Sequence, residues 1–217
     1  PTSSTLGIDT NSLVLVGDLT LSGGTVSISN DREPHIGNTI VTADSSISLG
    51  TDAIYVDGSK GANVIALDKP LTISGTGAMN APISVDTNGT LKRTGAGTIS
   101  NVTLNGGILD IDANTTVTTL TVSASSTIDL GARLVIKNNS AQTISTGSNI
   151  LTLSGTGLFT ADTAGTTISV DTGGTLKRTG VGIISNVTLN GGTLDIDEDT
   201  TITTLTVNDD STIELAA

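Results

Sequence analysis

The chain has 217 residues, including 26 Gly and about 40 Thr, with no Cys or Trp and one each of His, Met, Tyr and Phe. Lys and Arg total 9 against 21 Asp and Glu, a formal charge of −12, so the chain repels phosphate backbones and no nucleic-acid partner is expected. Without Cys there are no disulfides, thiolate metal sites or Cys nucleophiles. A single His cannot build a His-rich zinc site, and 1% aromatics gives no stacking platform for bases or sugars.

Hydrophobic residues make up 35%, below the roughly 45–50% of ordinary globular domains. Charged residues make up only 14%, too few for a charge-rich disordered chain. Thr, Ser, Gly and Asn fill the difference. The apolar residues are mostly Val, Ile and Leu, which suit pleated surfaces. No apolar run approaches the roughly 18 residues of a membrane helix, and a membrane barrel would need aromatic girdles, so no membrane insertion is expected. The chain opens at Pro1 with neither Met nor leader, which reads as a mature or excised piece.

In chain order, the first element is a weak repeat copy, LTLSGGTVSIS from Leu19 and DSSISLG from Asp44. Between them lies NDREPHIGNT, the least regular stretch, where Asp31, Arg32, Glu33 and His35 read as a surface loop. LTISGTGAM follows at Leu71, then ISVDTNGTLKRTGAGTISNVTLNGGILDIDANTTVTTLTVSASSTIDL from Ile83 to Leu130. LTLSGTGLF at Leu151 introduces a near-identical segment from Ile168 to Leu215, offset by about 85 residues. This is a duplicated array, with large repeats at approximately 13–82, 83–167 and a partial 168–217 in one domain spanning 1–217.

A finer period lies inside the large one. Leu91, Leu109 and Ile128 recur at 18 to 19 residues, as do Leu176, Leu194 and Ile213; Val26 to Ile47 is 21. Short alternating strands joined by small polar corners at this period predict an all-β chain, a right-handed parallel β-helix or β-solenoid with coils of about 18–21 residues. Roughly ten coils, about 4.8 Å apart, give a rod on the order of 50 Å. The predicted core is Leu104, Leu109, Ile111, Leu120, Val122, Ile128 and Leu130, repeated by Leu189, Leu194, Ile196, Leu205, Val207 and Ile213. Asn105-Gly106-Gly107 and Asn190-Gly191-Gly192 should turn corners. An antiparallel hairpin array is the competing fold, because Asn-Gly is also a hairpin signal.

Candidate chemistry is sparse. LKRTG occurs twice, and one cation of Lys92-Arg93 and of Lys177-Arg178 is expected to point outward and offset Asp86 or Asp171. Asp110 and Asp112 recur as Asp195, Asp197, Glu198 and Asp199, with Asp209 and Asp210 a coil later. Asp195, Asp197 and Asp199 are the only Ca²⁺ candidates, since stacked carboxylates supply several oxygens; the calcium-roll nonapeptide and EF-hand loop are absent. No cofactor and no catalytic residues are expected. Tyr55 and Phe159 lie far apart, and no G-x-S-x-G elbow occurs. VTTLTV at Val117 and ITTLTV at Ile202 place Thr at alternate positions, which raises ice binding as an alternative.

The segment ISNVTLNGGTLDID and the recurrent GGTLxL style resemble the β-helices of bacterial autotransporter passengers and related surface adhesins. That resemblance implies a secreted or cell-surface protein, structural in role: a segment of an adhesin or of a self-associating fibre, with a host-surface or glycan ligand. Many β-helices of similar build cleave acidic polysaccharides, so a lyase or hydrolase is the enzyme alternative, although near-identical coils leave little room for a unique cleft. STIELAA follows the last strand without a cap, which points to end-to-end self-association or to a longer parent chain.

Overall fold

The computed structural model describes residues 4–10, 13–57, 65–137, 143–161 and 166–216. Within them the chain is all β, and its paired strands run parallel, stacked as a β-solenoid of about ten coils. The hairpin array is thereby excluded. One sheet has eleven strands: Thr5–Ile8, Thr25–Ile28, Ser45–Leu49, Pro70–Gly75, Thr90–Arg93, Ile108–Ile111, Ser126–Leu130, Ile150–Gly155, Thr175–Arg178, Thr193–Ile196 and Thr212–Leu215. The remaining fourteen strands form the facing sheet.

Alternation decides which side chains enter the core. In Thr90–Arg93, Leu91 and Arg93 are buried while Lys92 faces out. Inward residues stack in columns fixed by the strand register. One column rises through Ser45, Leu71, Leu91, Leu109, Ile128, Leu153, Arg178, Ile196 and Leu215. Its neighbour rises through Leu6, Val26, Ile47, Ile73, Arg93, Ile111, Leu130 and Gly155. Equivalent residues of successive repeats thus lie one column apart: the stack steps sideways by one pleat per repeat.

Coil length is more variable than the sequence period. Thr90 pairs with Ile108, 18 residues on, and Ile108 with Thr127, 19 on. Thr127 instead pairs with Thr152 and Ser46 with Thr72, steps of 25 and 26. These longer coils carry the extra residues between the near-identical segments.

The corners follow the expected chemistry. Gly106 and Gly191 have φ of 100° and 86°, a region open to Gly and strained for other residues. Each also forms an isolated bridge, with Asp86 and Asp171 respectively. Ser126 Oγ accepts from the Gly106 amide at 2.9 Å and donates to the Ala124 carbonyl, tying the corner to the next coil.

The predicted core positions point inward, and most are buried. Leu205, Val207 and Ile213 are exceptions, at 40, 55 and 48% exposure. They occupy inward positions of the last coil, where no described coil covers them. Both rings, Tyr55 and Phe159, are buried in the core, and the Tyr55 hydroxyl bonds that of Thr39. No helix of the described residues is long and apolar enough to cross a membrane.

Candidate interaction surfaces

The LKRTG element splits its two cations between opposite faces. Lys92 lies outside, with Nζ 2.6 Å from both Asp110 Oδ2 and Asp112 Oδ2. Lys177 repeats this, 2.5 Å from Asp195 and 2.8 Å from Asp197. The expected partners, Asp86 and Asp171, are therefore corrected. A parallel stack brings the residue one coil on alongside, and Lys92 is in register with Asp110. Hydrogen bonds to Asp110 and Asp112 raise the Lys92 ammonium above its ordinary value, and that to Lys92 holds Asp112 below its own.

This pairing decides what the acidic clusters can do. Of the Ca²⁺ candidates, Asp195 and Asp197 share Lys177, an ammonium that occupies the space a cation would take. Asp199 lies beyond the strand Thr193–Ile196, and Asp209 belongs to the facing sheet. Among the described residues, no group of three or more His, Asp or Glu side chains could hold a metal ion.

Asp86 and Asp171 serve a different arrangement. Asp86 Oδ1 accepts from Ser84 Oγ and Asn105 Nδ2, both at 2.9 Å. Asp171 accepts from Ser145, Ser169, Asn190 and the Gly147 amide. Asn208 continues the ladder, donating to Asn190 Oδ1 at 2.8 Å. These donors, the Ser145 hydroxyl first, depress the Asp171 carboxyl.

The sign of the pH effect follows. Asp112 and Asp171 both have folded pKa values below their unfolded ones, so they stabilise fully above the unfolded carboxylate range near 3.9. That contribution is lost as pH falls through the lower folded values. Thermal unfolding midpoints are expected to stay level from roughly pH 8 to 5 and to fall below that. A variant carrying Asp112→Asn and Asp171→Asn should show a shallower acid limb in thermal scans. An unchanged limb would place the acid sensitivity elsewhere.

Arg93 and Arg178 are the residues that composition rules misplace: both are fully buried. Arg93 Nη2 donates to the carbonyls of Gly77 at 2.9 Å and Ala96 at 3.1 Å. Arg178 reaches four carbonyls, those of Ser154, Gly155, Gly157 and Val181, at 2.5 to 3.2 Å. Burial pushes the Arg93 guanidinium down to about 10, and Arg178 in the same direction. Both remain charged at neutral pH, held by carbonyl dipoles. The signal in the sequence is R-T-G-x-G: a Cβ at Gly97 or Gly182 would collide with the guanidinium.

His35 begins the strand His35–Ala43 and is exposed, as a surface reading requires. With Asp31, Arg32, Glu33, Asp52 and Ile54 it lines an open hollow of about 280 Å³. Arg32 Nε lies 3.6 Å from Asp9.

Comparison with known proteins finds no matching family model, curated protein or solved structure.

Proposed function

We propose that this chain is a structural β-solenoid of the cell exterior, a segment of an adhesin or of a self-associating fibre. The observation that carries the reading is the last coil: Ile213 and Leu215 sit on core columns yet are 48 and 72% exposed, beside an open parallel strand edge. Open edges favour pairing, and a solenoid gains stability from each neighbour added. The outward faces support a scaffold role. They carry lysine–carboxylate clamps and hydroxyl ladders repeated from coil to coil, which present a long polar surface to a glycan or host partner. Both aromatic rings lie inside the core, so they are not available to stack on a sugar.

Electron microscopy and sedimentation of the purified chain test the proposal. Short rods are expected, lengthening end to end as protein concentration rises. Uniform single-chain rods at every concentration would overturn the self-associating reading.

A further inference from the structure

We infer that the exposed edge at Thr212–Leu215 is a docking site for one class of partner: a further solenoid coil that opens with an L-T-[Ile/Leu]-S-G strand laid parallel on it. The inference rests on the proposal that the array is extended along its axis, and adds what the end face selects.

The strand Thr212–Leu215, with Ser211 before it, has two internal counterparts. They are Ser45–Leu49 and Ser126–Leu130. All three serines make the same two bonds. Ser45, Ser126 and Ser211 accept from the amides of Gly23, Gly106 and Gly191 at 3.1, 2.9 and 3.0 Å, and donate to Ala43, Ala124 and Asp209. The last coil therefore has the local geometry of its counterparts.

Each internal counterpart is covered by the same strand sequence. LTISG at Leu71–Gly75 covers the first and LTLSG at Leu151–Gly155 the second. Leu71 and Leu151 stand over the serines, and Ile73 and Leu153 stand over Ile47 and Ile128. Gly75 and Gly155 stand over Leu49 and Leu130. Carried to the last coil, this register puts Leu over Ser211, Leu or Ile over Ile213, and Gly over Leu215.

The outward residues agree. Thr152 covers Thr127, and Ser154 Oγ donates to Asp129 Oδ1 at 3.0 Å. The corresponding residues are Thr212 and Glu214, so an incoming Ser would meet a carboxylate there too. Covering has a large effect inside: Leu49, Ile47, Ile128 and Leu130 are fully buried.

Glycine is the specific element. A Cβ on Gly155 would enter the Leu130 carbonyl oxygen, and Gly155 has φ of 76°. A strand with a side chain at that position cannot follow the column over Leu215.

The probe is a labelled peptide of residues 149–161, NILTLSGTGLFTA, added to the intact chain. Fluorescence anisotropy should show saturable binding, and hydrogen exchange should slow at residues 205–215. A Gly155→Val or a Leu153→Asp peptide should bind at least about tenfold more weakly. No saturable binding, or equal binding by all three peptides, would overturn the inference. The two proposals fail separately. Rods that grow end to end without peptide selectivity would leave the fibre reading standing, and selective peptide capture by rods that never grow would remove only that reading.

Discussion

Gly75→Ala is expected to destabilise the stack by about 3 kcal/mol, with the loss centred on the coils that meet at Leu49 and Leu71. Two effects combine. Gly75 has φ of 78°, where an L residue costs about 1–2 kcal/mol. The added Cβ would also fall inside the Leu49 carbonyl oxygen, so the strands Ser45–Leu49 and Pro70–Gly75 must part. That displacement exposes Ile47 and Ile73, which are otherwise fully buried. Gly147→Ala separates the two effects. Its φ is 55°, but the nearest atom to its Cβ is 3.8 Å away, so only the conformational cost of about 1–2 kcal/mol applies. Because coils interact with their neighbours, hydrogen exchange in Gly75→Ala should rise around residues 45–79 and stay unchanged around 175–196. Equal losses in the two variants would show that close stacking of the corner is not the controlling contact.

The fold was legible because its two periods are both written in residue types. Strand alternation places Leu109 and Ile111 on one side and Asp110 on the other, and the 18-to-19-residue spacing stacks Leu91, Leu109 and Ile128 in one column. What was missed came from applying only one period at a time. Alternation alone assigns Arg93 to the same side as Leu91, yet the general rule that arginine stays outside hides this. The coil period alone assigns Lys92 to Asp110, 18 residues on, while sequence proximity points to Asp86. The exposure of Leu205, Val207 and Ile213 is of another kind. Burial belongs to the stack, and a core pattern specifies a position without supplying the coil that covers it. The longer steps from Thr127 to Thr152 and from Ser46 to Thr72 arise in stretches that differ between repeats, where no repeat aligns the ends.

The buried arginines provide the sharper test of what holds the coils in register. Truncation by Arg93→Ala or Arg178→Ala should cost about 3 kcal/mol or more, because it empties a large fully packed site and leaves carbonyls without donors. Arg→Met keeps most of the volume and removes the charge, so it isolates the polar contribution. For Arg93 the two polar effects nearly cancel. Its guanidinium satisfies two carbonyls, but Nε and Nη1 find no partner, and a buried charge so poorly matched carries a desolvation cost. Arg93→Met is therefore expected within about 1 kcal/mol of the parent. Arg178 donates to four carbonyls and leaves only Nε without a partner. Arg178→Met should cost about 1–2 kcal/mol more than Arg93→Met, one or two net hydrogen bonds. Denaturant midpoints of the four variants decide the matter. If both Met variants are as damaging as the Ala variants, the carbonyl bonds dominate over volume at both sites. If Arg93→Met and Arg178→Met match each other near the parent value, the corners are held by packing alone. The expected difference between the Met variants means that one R-T-G-x-G corner is a polar lock and its twin, 85 residues earlier, is chiefly a space-filler.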